Sequence, residues 1–155
     1  MKLYPLVFSF NDIIAGNGFV AHVVTEGRVL LVEEEDDVWM YGVQPGGVAG
    51  GDPVRRTAYS EFKDNYRAVL FNIAADTTTF EEFKNRTQRF FDEVNEPNAI
   101  LWAEALATVR ASGTTLADLP TVNGDQRTPQ MTVEEVVPGK IKSNANEFSE
   151  IAEAA

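Results

Sequence analysis

Apolar and polar positions alternate along the first third of the chain. In residues 4–10, Leu6, Phe8 and Phe10 alternate with Pro5, Val7 and Ser9, which predicts a strand with the proline at its start or on an edge. Asn11 and Asp12 are read as its end. Residues 18–25 predict a second strand, apolar on both faces: Phe19, Ala21 and Val23 on one, Val20, His22 and Val24 on the other. Glu26–Gly27 reads as a tight turn into 28–34, so 18–34 is expected to be a hairpin. Asp36–Asp37 closes a further turn and 38–43 runs back, with Trp39, Tyr41 and Val43 on one face. Together these segments predict an antiparallel meander.

The period then changes. Residues 44–51 hold four glycines and a proline and are read as a loop. Asp52 is placed as an N-cap and Pro53 as the first helical residue. Ala58, Phe62, Tyr66, Val69 and Ile73, widened by Leu70, form one helical face over 53–75. A second helix is expected within 77–94. Thr78 with Glu81, or Thr79 with Glu82, offers a capping box, and Phe80, Phe83, Phe90, Phe91 and Val94 line one face with Thr87 among them. A third helix fits 97–111, with Pro97 in its first turn, Leu101, Trp102, Ala105, Leu106 and Val109 on a broad face, and Ser112–Gly113 at its end. Residues 113–130 read as loop, 131–137 as a short strand stopped by Pro138–Gly139, and 144–155 as a frayed terminal helix.

The fold expected from this pattern is α+β. It has a three- to four-stranded antiparallel sheet packed against helix 53–75, two further helices, and an extended C-terminal tail. The domain is assigned to 1–112, and 113–155 to an acidic tail that wraps the core or is partly disordered. That tail carries seven acids against three basic residues.

Charge narrows the function classes. The chain has 155 residues and a net charge of −11, which disfavours nucleic acid and anionic lipid and favours a basic partner. It has no cysteine and a single histidine, so thiolate chemistry is excluded and a transition-metal site is not expected. No signal-peptide pattern and no membrane-length apolar run is read, and a cytoplasmic location is expected. His22 would have to serve any histidine-dependent nucleophile, but within an apolar strand its expected role is structural. The acidic run Glu33–Asp37 lies along a strand end, where successive side chains diverge, and reads as a solvated turn rather than a calcium or magnesium loop. The glycine-rich loop lacks the lysine of a phosphate-binding loop, and Asp52 would repel an anion at the helix start. No catalytic residues, no metal and no cofactor are assigned, and no hydrolase or nuclease activity is expected.

Two features point to contacts with protein. Arg56, Lys63 and Arg67 form a cationic ridge on helix 53–75, and Phe71 points away from that helix's apolar face. Trp39 and Tyr41 share a strand face. All six are candidate partner-binding residues. Phe71 and the second apolar face of strand 18–25 also predict self-association, a two-fold homodimer by default.

Residues 28–75 resemble the HicB-like antitoxin family. The correspondence rests on the turn Asp36-Asp37-Val38-Trp39, the loop Pro45-Gly46-Gly47 and Gly51-Asp52 before the helix. Pro53 stands where the family has serine or threonine, its Glu-Ala pair falls on Arg56 and Thr57, and its second loop proline is replaced near Val48 and Ala49. The resemblance implies a small sheet on helices, without catalytic activity, that masks the active site of a small basic ribonuclease toxin. Many such proteins carry a C-terminal DNA-binding unit. Here 131–155 offers one strand and one helix and is acidic, so DNA binding is not expected. A homo-oligomeric structural domain and a small-molecule-binding protein, with Trp39 and Tyr41 beside a cleft, are the alternatives.

Overall fold

A computed structural model describes residues 1–113, 116, 119–122, 128–137 and 148–154. Its strands are β1 (Lys2–Ala15), β2 (Val20–Glu33), β3 (Val38–Gln44), β4 (Ala49–Asp52), β5 (Thr121–Val122), β6 (Gln130–Glu135) and β7 (Phe148–Ala154). Its helices are α1 (Arg55–Ala75), α2 (Phe80–Asp92) and α3 (Glu96–Ser112). The α+β class holds, but the three- to four-stranded antiparallel sheet does not: the described strands form one seven-stranded mixed sheet, ordered β4-β3-β2-β1-β7-β5 with β6 also on β2. The parallel pairing is β5 on β7. Three of the strands, β5, β6 and β7, come from the stretch read as an acidic tail.

Two expected breaks are absent. Asn11–Asp12 does not end the first strand, and Glu26–Gly27 is not a turn. β1 and β2 run antiparallel in unbroken register from Lys2↔Glu33 to Ala15↔Val20. The polar residues inside β1 are satisfied where they lie. Asn11 Oδ1 accepts from His22 Nε2 at 2.6 Å, and Asp12 Oδ2 takes the Arg67 guanidinium at 2.6 Å. At Gly27, β2 changes neighbours: residues 21–26 pair with β6 and residues 28–33 with β3. The turn at 34–37 forms where expected, closed by Glu34 N–H to the Asp37 carbonyl at 2.8 Å.

The glycine-rich segment 44–51 is not wholly loop, because β4 begins at Ala49. Gly50 is what allows it: a Cβ there would come within 2.4 Å of Phe62 N, so only glycine lets β4 run this close beneath α1. α1 starts at Arg55, later than expected. Its N-cap is Val54, which supplies no side-chain cap, and Asp52 Oδ2 instead accepts from Val54 N–H at 2.8 Å. The expected face is buried at Ala58, Phe62, Tyr66, Leu70 and Ile73, while Val69 is only partly covered. α2 is capped by Thr79, which accepts from Glu82 N–H at 3.2 Å. α3 is capped by Asn95 and ends on Gly113 in the left-handed region.

The expected C-terminal helix is a strand over its described part: 148–154 is β7, paired antiparallel with residues 6–11 of β1. Glutamate and alanine favour helix only by tenths of a kcal/mol per residue, about 0.5 kcal/mol at most. The main-chain hydrogen bonds offered by β1, and burial of Ala154, outweigh that preference. Glu153 is fully buried and accepts from Leu116 N–H at 2.6 Å. The readings for 123–127 and for Pro138–Gly139 fall outside the described residues.

The sheet separates two cores. On one side Leu6, Phe8, Phe10, Leu31 and Met40 meet Phe62, Tyr66 and Leu70 of α1 and Phe83 and Phe91 of α2. Phe8 and Phe10 set their rings edge-on to Phe62 and Tyr66 at centroid distances of 5.1 and 4.9 Å. On the other side Val7, Leu30, Val32 and Val43 meet Trp102 and Leu106 of α3. Trp102 holds α3 down: its indole N–H donates to the Leu6 carbonyl at 3.0 Å, and the Arg28 guanidinium lies 4.3 Å above its ring.

Candidate protein-interaction site

The period of β3 decides which of its side chains reach solvent. Val38 and Met40 enter the core under α1, so Trp39 and Tyr41 face the α3 side. The two rings stack, with centroids 5.9 Å apart and planes 13° from parallel. Across the pair lies β4, where Gly51 is the register partner of Trp39. A Cβ at Gly51 would sit 2.5 Å from the indole, so the ring occupies the space that any other residue would fill. On the opposite flank, Val32 and Leu30 of β2 are the partners of Trp39 and Tyr41 and are almost wholly buried. Trp39 is thus fixed on three sides, yet 39% of its surface is exposed. A large, amphipathic ring held in one orientation is well suited to anchoring a protein contact, since little conformational entropy is lost on binding.

The other sequence candidates lie in the opposite layer, on α1. Arg56 is exposed and Lys63 half-buried. Arg67 is engaged within the fold: it pairs with Asp12 at 2.6 Å and Asp64 at 3.2 Å and lies 5.7 Å from the Phe10 ring centroid. Phe71 is 41% exposed on the outer side of α1. The six residues therefore form two groups separated by the sheet, and Trp39 and Tyr41 are the pair the fold brings into contact.

Sequence reasoning read Gly51 as a loop glycine and as part of the Gly51-Asp52 motif, because a glycine that seats a ring has no signature distinguishing it from one that makes a turn. It passed over a groove on the α3 side, about 440 Å³, lined by Val7, Ser9, Glu26, Val122, Ile151 and Ala152 among others. These residues come from four strands distant in the chain, and no local motif announces them.

His22 donates or shares its Nε2 proton with Asn11 on a half-exposed sheet surface. In the acidic turn, Glu33 pairs with Arg55 at 2.9 Å while Glu34 to Asp37 are exposed. Among the described residues no group of three or more histidine or acidic side chains is arranged to hold a metal ion. Nor is any helix among them long and apolar enough to cross a membrane. No protein-family model, curated protein or solved structure matches the chain.

Proposed function

We propose that this chain is a non-catalytic protein-binding module of the HicB-like kind, a diverged or orphan antitoxin, working in the cytoplasm without binding nucleic acid itself. The partner is a small basic protein, and Trp39 backed by Tyr41 is the anchor of the contact. The observation that carries this reading is the exposed Trp39 ring, immobilised between Tyr41, Gly51 and the flank of β2. A net charge of −11 supports a basic partner. The resemblance over 28–75 supports a toxin-like ribonuclease as its class.

The test takes any small basic protein encoded beside this chain's gene, purified and titrated by calorimetry. Wild-type chain is expected to bind it and to suppress any ribonuclease activity. Trp39→Ala should weaken binding by about thirtyfold or more, the range of an interface hot spot, and Phe71→Asp should leave it unchanged. No binding by the wild type, or equal binding by Trp39→Ala, overturns the proposal.

A second reading is favoured by the groove between β1, β2, β5 and β7, whose 440 Å³ falls in the range of small-molecule sites. Native mass spectrometry of freshly purified protein separates the two: a retained small molecule supports the groove as the functional site.

A further inference from the structure

The contacts of Gly51 fix which face of the Trp39 indole is open. A Cβ at Gly51 would lie 2.5 Å from Cε3 and Cζ3 of the ring and 2.7 Å from Cδ2. Near-equal distances to three consecutive ring atoms put that point beneath the six-membered ring, not beyond its rim. The indole thus lies flat on β4 with its inner face against Gly51. Its outer face is turned to solvent, which accounts for an exposure of 39%. Tyr41, its plane 13° from that of the indole, extends the surface along β3.

The chain leading into the ring is acidic. Glu34, Glu35, Asp36 and Asp37 are exposed, and none forms an ion pair with another described residue. Side chains alternate along a strand, and Val38 enters the α1 core. Asp37 therefore leads into β3 on the same side as Trp39, about 7 Å back along the strand. Glu33 points the other way, to Arg55 at 2.9 Å. This surface lies within residues 32–52, all of them described.

We propose that the outer face of Trp39 receives an arginine of the basic partner, its guanidinium stacked flat on the indole with an N–H edge turned to Asp37. This rests on the reading of Trp39 as the anchor. The face of an indole attracts cations. An apolar side chain seated there would bring the partner's surface against four unpaired carboxylates, whereas a cation offsets them. The acidic turn alone would attract any cation, but the flat ring selects a planar one. A guanidinium stacks through its faces and keeps its N–H donors in its plane, so it can lie on the indole and still bond a carboxylate at the side. An ammonium is a strongly hydrated point charge and cannot do both.

Hexa-arginine and hexa-lysine, equal in side-chain charge, are the probes. The chain has two tryptophans, so an isotope-labelled sample gives two indole N–H signals. That of Trp102, bonded to the Leu6 carbonyl, is the internal control. At low salt both peptides should bind the acidic turn, and only hexa-arginine should move the Trp39 signal. Trp39 belongs to neither core, so Trp39→Leu should leave the Trp102 signal in place. It should weaken hexa-arginine about threefold, the range of an exposed cation–π contact, and leave hexa-lysine unchanged. Equal binding of the two peptides by the wild type overturns the proposal. So does a hexa-arginine affinity that Trp39→Leu does not alter, or no binding of hexa-arginine at all. If a basic protein binds through Trp39 while hexa-arginine fails these tests, the anchor stands and its occupant is not an arginine. If hexa-arginine passes and no basic protein binds, the arginine site stands and the antitoxin reading falls.

Discussion

The Tyr66 hydroxyl ties three elements together: it shares a hydrogen bond with Thr25 of β2 at 2.8 Å and reaches the Met131 sulfur of β6 at 3.7 Å. Burial pushes its phenol well above the ordinary range, because a phenolate has no water to stabilise it there; the Thr25 hydrogen bond acts weakly in the opposite sense. The proton is therefore bound more tightly in the folded chain than in the unfolded one. The stabilisation is complete below the unfolded value of about 10 and is lost as pH rises beyond it. Tyr66→Phe should cost about 1 kcal/mol at neutral pH. Urea midpoints of the two proteins should converge above pH about 10 as the wild type loses this contribution. The place of Tyr66 on the buried face of α1 was legible from its spacing with Ala58 and Phe62. Its partners were not, since Thr25 and Met131 belong to strands whose pairing depends on the whole sheet. Asp12 and Arg67 teach the same lesson: 55 residues apart, each was read as a local feature, a strand break and a surface cation, until the fold joined them.

Among the elements, helices were more legible than strands. Thr79 and Gly113 act as the caps their residue types suggest, because capping is decided within a few residues. β2 was misread as a hairpin because Glu26–Gly27 has turn composition, and only the equally long β1 beside it keeps the chain extended. β7 was misread as helix because its composition is helical and its partner lies at the other end of the chain. Proline at Ala152, within β7, should lower the melting temperature by about 6–12 °C, corresponding to about 3 kcal/mol. For the Trp39–Tyr41 pair, half of the site was visible as an aromatic strand and half was hidden in Gly51. Gly51→Ala should push the indole off its seat at a cost of about 1–3 kcal/mol. A red shift of tryptophan emission would report the displacement, and affinity for a basic partner bound as proposed should fall alongside it.

At the scale of the molecule, an excess of 11 negative charges acts on association before any contact forms. Binding to a basic partner should slow about tenfold between low and high salt, with dissociation changing far less, as stopped-flow measurements at several ionic strengths would show. The pairing of β7 with β1 has a consequence for biosynthesis. Residues 148–154 leave the ribosome after everything they pair with, and until then the middle of β1 carries an unzipped flank. The nascent chain must hold a long β1–β2 ribbon with that flank exposed, which invites association between neighbouring ribosomes' products and engagement by chaperones. Chains arrested after residue 137 should therefore be cut rapidly by protease, and chains released beyond 154 should resist it.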